Sequence, residues 1–236
     1  MKFFNTNAIT AIPHTIKTAP RHFKYGFVPN IFQENAYKEL RAKFPPFSSF
    51  GYIDDGFKKV YEGPHFDSVE HKGYVDHLLR AHVDPIWIDL LREAHSQEFT
   101  KLFSESTGIG FNAVRNFSWK YGKEGCEITP HLDLSGMKMH SAGSKIVCMF
   151  GFAKNPGAGP GGTTVYDVDR ETVLMEAPET YNGMTFFEQH QDAWHGYKTL
   201  KPDQERWALA ITFNRAREPV KIRTSFLNNI LGRRAS

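Results

Sequence analysis

Three times the chain sets a histidine two residues before an aspartate: His65 and Asp67 in "PHFDS", His82 and Asp84 in "AHVDP", and His131 and Asp133 in "PHLDLSG". An imidazole and a carboxylate can serve together on one divalent metal ion. A strand places residues i and i+2 on one face, where both can reach the same ion. A helix turns them about 200° apart. The chain holds 11 histidines, so such triplets arise by chance and their surroundings must discriminate among them.

Asp84 stands directly before Pro85 and an apolar periodic run, so it reads as a helix N-cap. The triplet at 65–67 sits among Gly63, Pro64, Ser68 and Glu70 in a charged, loop-like stretch. Only the triplet at 131–133 follows one β-type run and precedes another. A second imidazole completes a two-histidine, one-carboxylate set, and His195 in "WHGYKTL" enters a β-type run after "GMTFFE". Its rival His190 falls in the polar turn "EQHQDA", and His140 reads as a loop residue. Two imidazoles and one carboxylate on one face leave open positions, which suits a non-haem Fe(II) oxygenase. Arg206 opens the apolar run "RWALAITF"; an inward guanidinium there would present its fork to a carboxylate. The competing reading of Arg206 is a surface ion pair with Asp203 or Glu205.

These residues need a scaffold. Up to about residue 110 the periodicity is helical: "QENAYKELRAKF" aligns Tyr37, Leu40 and Phe44, and "DPIWIDLLREAHSQEFTKLFSESTG" predicts a helix from the Asp84 cap to Gly108. Beyond it, "FNAVRNFSWKY", "KIVCMFGF", "GTTVYD", "TVLME", "GMTFFE" and "RWALAITFN" read as short strands between turn residues. The connection "NPGAGPGG" lacks the Lys-Ser/Thr of a phosphate loop. The expected fold is mainly β with α, a jelly-roll or barrel core carrying an N-terminal helical layer.

The 236 residues suffice for one large domain. A formal charge of +3 is too mild to argue for nucleic acid. Two cysteines, Cys126 and Cys148, make no disulfide framework. No run reaches the ~18 apolar residues of a membrane span. Asn5, Asn7 and Pro13 interrupt the N-terminal apolar stretch, which reads as an ordered segment of a cytoplasmic protein. The short basic ending "LGRRAS" reads as a solvated tail.

In order and spacing, "NFSWKYGKEGCEITPHLD", "KIVCMFGFAKNPGAGPGGTTVYD" and "PETYNGMTFFEQHQDAWHGYKTLKPDQERWALAITF" together resemble the Fe(II)/2-oxoglutarate-dependent oxygenase superfamily, on its prolyl-4-hydroxylase-like side. The resemblance implies a double-stranded β-helix (jelly-roll, cupin-like) core. It implies that His131, Asp133 and His195 bind Fe(II), that Arg206 pairs with the far carboxylate of 2-oxoglutarate, and that Tyr121 lies near that cosubstrate. It also departs from the family. Ala208 stands where many relatives carry Ser or Thr as a second carboxylate donor, leaving Tyr121 or Thr212 as replacements. Arg206 stands where prolyl hydroxylases usually have Lys. Thr212 stands where nucleic-acid demethylases typically have a second Arg.

The expectation is a single oxygenase domain over 1–236, with a mainly helical part at 1–110, the jelly-roll core and metal site at 111–214, and a C-terminal extension at 215–236. With Fe(II), 2-oxoglutarate and O2 it would hydroxylate a C–H bond, releasing succinate and CO2. A small-molecule substrate is favoured over a protein prolyl or other side chain, with no nucleic-acid or membrane partner. Two other classes compete: a cupin-like metal-dependent hydrolase or isomerase, which needs no buried arginine at this spacing, and a non-catalytic binding module, which could lose a ligand.

Overall fold

A computed structural model describes residues 1–20, 23–66, 83–133, 144–152, 160–178 and 181–215. The helices are α1 (Thr6–Thr10), α2 (Glu34–Ala42), α3 (Pro85–His95) and α4 (Gln97–Thr107). The strands are β1 (Lys17–Thr18), β2 (Lys24–Pro29), β3 (Gly51–Asp54), β4 (Lys58–Phe66), β5 (Phe111–Gly122) and β6 (Glu127–His131). They continue with β7 (Ser144–Phe152), β8 (Pro160–Tyr166), β9 (Val173–Pro178), β10 (Tyr181–Glu188), β11 (Trp194–Tyr197) and β12 (Arg206–Arg215). The sheet order is β1-β2-β10-β7-β12-β5-β4-β6-β11-β8-β9, with β3 on β4. All these pairings are antiparallel. Side chains from β5, β7 and β12 line the same cavity as side chains from β6, β8 and β11, so the sheet folds over on itself into a double-stranded β-helix.

Strand alternation decides what faces that cavity. On β12, Leu209, Ile211 and Phe213 join the core, with Trp207 packed against it, whereas Arg206, Ala210 and Thr212 line the cavity. On β5, Phe117 and Trp119 face the core, and Ser118 and Lys120 face the cavity. A bulge breaks the alternation beside Thr212. Thr212 pairs with Asn116 and Phe213 with Val114, so Arg115 is an extra residue, and both Arg115 and Asn116 reach the cavity.

The outer face of this arm is covered by helices. Trp87, Leu90, Leu91 and Ala94 of α3 and Phe99 and Phe103 of α4 are buried with Phe150, Phe152, Met184 and Phe186. Trp87 meets Trp119 edge-on, with centroids 5.5 Å apart, and Phe103 meets Phe186 likewise at 5.9 Å. Burial of each large apolar side chain is worth about 1.5–3 kcal/mol. This layer therefore fixes the strands from outside and leaves their inner face free for polar groups. The N-terminal segment joins the same core through Phe3, Phe4, Ile9 and Ile12. Cys126 and Cys148 are buried free thiols. No helix among the described residues is long and apolar enough to cross a membrane.

The helical expectation for the first 110 residues is incomplete. Strands β1 to β4 also lie there; β2 pairs with β10, and β4 joins β5 to β6. The helix expected from Asp84 to Gly108 is two helices. Asp84 does cap the first, its carboxylate accepting from the Ile86 N–H at 3.0 Å, and Gly108 ends the second in the left-handed region. Between them Ser96 is extended (φ −64, ψ 151) and accepts from the Phe99 N–H, starting a new helix. The loop-like reading of "PHFDS" is also corrected, because His65 belongs to β4 and pairs with Ser118. Asp67, His82, His140, most of "NPGAGPGG" and the basic ending lie outside the described residues.

Candidate metal centre and its cavity

The two histidines of the expected site are direct cross-strand partners, His195 of β11 opposite His131 of β6. Asp133 follows two residues after His131, in the turn that ends β6. One ligand atom from each of the three lies within 4.8 Å of the others. Asp133 Oδ1 is 3.6 Å from His131 Nε2 and 3.4 Å from His195 Nε2.

The other ring nitrogens fix the orientation. His131 Nδ1 lies 3.1 Å from the Thr129 carbonyl, and His195 Nδ1 3.0 Å from the Ala193 carbonyl. A carbonyl only accepts, so each Nδ1 donates, and the two Nε2 atoms converge on the carboxylate. Gln189 donates from Nε2 to Asp133 Oδ2 at 3.2 Å, holding one carboxylate oxygen and leaving Oδ1 toward the imidazoles. Desolvation pushes the Asp133 carboxyl up, but His195 and then His131 outweigh it and hold it well below the ordinary carboxylate range. Burial pushes His195 down; the Asp133 carboxylate more than compensates, and its pKa is raised. Two imidazole nitrogens and one carboxylate oxygen, gathered beside a cavity, form the donor set suited to non-haem iron.

Gly196 explains how β11 comes this close to β6. A Cβ there would lie 2.2 Å from the Ile128 carbonyl oxygen and 3.1 Å from that of Thr129. Gly196→Ala must push apart the two strands that carry His195 and His131. The expected result is a loss of about 1–3 kcal/mol of stability, typical of overpacking, together with weakened metal binding. Thermal unfolding and metal titration of the same sample check this; unchanged metal affinity would contradict it.

Arg206 is 7% exposed and lines the same cavity. Its Nη1 donates to the Gly161 carbonyl at 2.9 Å and its Nη2 to Thr163 Oγ1 at 3.0 Å, with the Tyr197 ring 4.8 Å from its Cζ. Glu205, one acid of the competing surface reading, accepts from Tyr121 and Trp207. Thr163, Gln189 and Lys120 also line the cavity. The sequence reading missed all three, because each joins the site only through a partner remote in the chain.

Tyr121 is not brought to the cavity. It pairs with Trp207 rather than Arg206, and strand parity turns it to the outer face. There it packs against Phe47, Tyr61 and Trp207 and donates to Glu205 Oε1 at 3.0 Å. Burial, then that carboxylate, pushes its pKa up to about 12. Tyr121→Phe is therefore expected to cost about 1 kcal/mol of stability while leaving 2-oxoglutarate affinity unchanged, as denaturant unfolding and calorimetry can show. His190 also stands apart from the site, stacked on Phe23 at 6.1 Å, with Nδ1 3.5 Å from Asp192.

The cavity of about 630 Å³ falls within the roughly 300–1,000 Å³ of small-molecule sites. No family model matches the sequence, and no curated protein matches it. Solved structures do. A 2OG-Fe(II) oxygenase family oxidoreductase from Burkholderia pseudomallei matches with TM-score 0.56 and 14% identity, over 82% of this chain and 88% of that one. A Pseudomonas putida prolyl-4-hydroxylase matches with TM-score 0.55 and 10% identity, over 89% and 98%. The non-heme alpha ketoglutarate dependent carbocyclase SnoK from nogalamycin biosynthesis matches with TM-score 0.56 and 10% identity, over 95% and 90%. Over most of its length, this chain has the fold of the 2OG-Fe(II) oxygenases, prolyl-4-hydroxylases among them.

Proposed function

We propose that the chain acts as one Fe(II)- and 2-oxoglutarate-dependent dioxygenase domain that hydroxylates a C–H bond of a small molecule, releasing succinate and CO2. The observation that carries this reading is the convergence of His131, Asp133 and His195 on the cavity that also holds the buried Arg206. His131, Asp133 and His195 would hold the metal, with Nδ1 of each imidazole anchored on a carbonyl and Oδ2 of Asp133 on Gln189. When bound, the metal would supply activation of O2 coupled to oxidative decarboxylation of 2-oxoglutarate. Arg206 would offer its planar fork to the far carboxylate of that cosubstrate. The Thr163 hydroxyl, which accepts from Arg206, can turn its own proton to the same carboxylate and supply the donor that Ala208 lacks. A cupin-like hydrolase needs no such arginine, and a binding module needs no complete ligand set. The cavity volume supports a small substrate beside the cosubstrate. Succinate formation from 2-oxoglutarate tests the reading. It is expected to require both Fe(II) and O2, even at the slow rate reached without the substrate. Formation independent of either, or none from the iron-loaded protein, would overturn it.

A further inference from the structure

The metal and cosubstrate reading leaves one charged part of the cavity wall without a task. Lys58 and Lys120 both line the cavity. Both ammonium groups bond the same oxygen, Glu62 Oε1: Lys58 at 2.8 Å, and Lys120 across the β4–β5 pairing in which it faces Glu62. All three side chains are largely sequestered, about 20% exposed each. Two cations on one carboxylate leave an excess of one positive charge. Arg115, brought in by the β5 bulge, adds a further cation to the lining.

The described lining residues carry two further formal charges. Asp133 is the acidic residue among them, and Arg206 is the remaining cation. In the proposed complex, a divalent metal, Asp133, doubly ionised 2-oxoglutarate and Arg206 sum to zero. The Lys58–Glu62–Lys120 group then remains net positive in a largely sequestered wall, where excess charge is costly. Burial already lowers the Lys120 pKa against the pull of Glu62. An arriving anion would offset that cost. Resting on the proposed cosubstrate site, we infer that the substrate carries an oxyanion, a carboxylate or a phosphate ester, which docks on Lys120 and Lys58.

The charge of this group can be varied without removing every partner. Lys120→Met leaves the Lys58–Glu62 pair intact and takes the group from +1 to zero. Glu62→Gln takes it to +2. The probes are small carboxylates and phosphate monoesters, each matched with its neutral amide or alcohol. They are screened by saturation-transfer NMR against the full chain loaded with Zn(II) and 2-oxoglutarate, a complex that does not turn over. Anions are expected to outnumber their neutral partners among the binders. Their affinity should fall about tenfold in Lys120→Met, the size of one charge-assisted hydrogen bond, and should rise in Glu62→Gln. Thermal melts of both variants confirm folding. Equal binding of neutral partners, or unchanged anion affinity in both variants, would overturn the proposal. 2-Oxoglutarate affinity in the same variants separates the two readings. If Lys120→Met weakens the cosubstrate instead, the group anchors 2-oxoglutarate, and the substrate proposal falls while the cosubstrate site stands. If the wild-type chain with Zn(II) binds no 2-oxoglutarate, the function reading falls, and the anion screen on the zinc-loaded protein still decides the lysine site.

Discussion

His131→Ala and His195→Ala are each expected to eliminate detectable Fe(II) binding, whereas His190→Ala, His65→Ala and His82→Ala leave it intact. The first two remove the members of one cross-strand pair, whose Nε2 atoms both face Asp133 Oδ1. A site of three protein ligands does not survive as two, because the remaining imidazole and carboxylate revert to an ordinary ion pair. His190 instead lies against Phe23 and Asp192. Gln189→Ala tests the layer behind the ligands. Losing the donor to Asp133 Oδ2 is expected to weaken metal binding about 10- to 100-fold, as for other outer-shell partners. Metal titration under nitrogen with unfolding controls measures all six. Retained binding in His195→Ala with loss in His190→Ala would reverse the assignment.

Arg206→Met is expected to weaken 2-oxoglutarate about 100-fold or more while iron affinity stays nearly constant. A bond to a charged group contributes about 1.5–3 kcal/mol, and the guanidinium can offer two. Arg206→Lys keeps the charge but loses the fork, so a smaller loss, about tenfold, is expected. Thr163→Val removes a single hydroxyl and should cost less than either arginine variant. Pyruvate lacks the far carboxylate, so its disadvantage against 2-oxoglutarate should largely disappear in Arg206→Met. The variant also leaves the Gly161 carbonyl without its 2.9 Å donor, so some stability is lost with it. The ratio of the two oxo acids is insensitive to that general loss. An unchanged ratio would place the cosubstrate away from Arg206.

Much of this site is legible along the chain because strands advertise their faces. "RWALAITF" alternates large apolar with small or polar residues, and β12 sends Leu209, Ile211 and Phe213 to the core and Arg206 and Thr212 to the cavity. The same rule defeats Tyr121. One residue of parity separates it from Lys120, and the strand register, which the sequence alone does not give, decides which of the two enters. The Arg115 bulge is hidden for a similar reason, since it exists only relative to β12. Thr163 and Gln189 carry no local signature, and their roles come from Arg206 and Asp133, each remote in sequence. Among the helices, the Asp84 cap is readable, but Ser96 lies inside an apolar periodic run that carries no Gly or Pro to mark the break. Strands β2 and β4 were missed because they extend the sheet beyond the core motifs and show weaker alternation.

The central claim is that the three ligands and Arg206 act together on one metal and one dicarboxylate. Anaerobic calorimetry with ordered additions tests it most directly. Fe(II) should bind at one site per chain, and 2-oxoglutarate should then bind tightly to the iron-loaded protein and far more weakly to the metal-free protein. Equal 2-oxoglutarate binding with and without iron, or none with iron bound, would contradict the account.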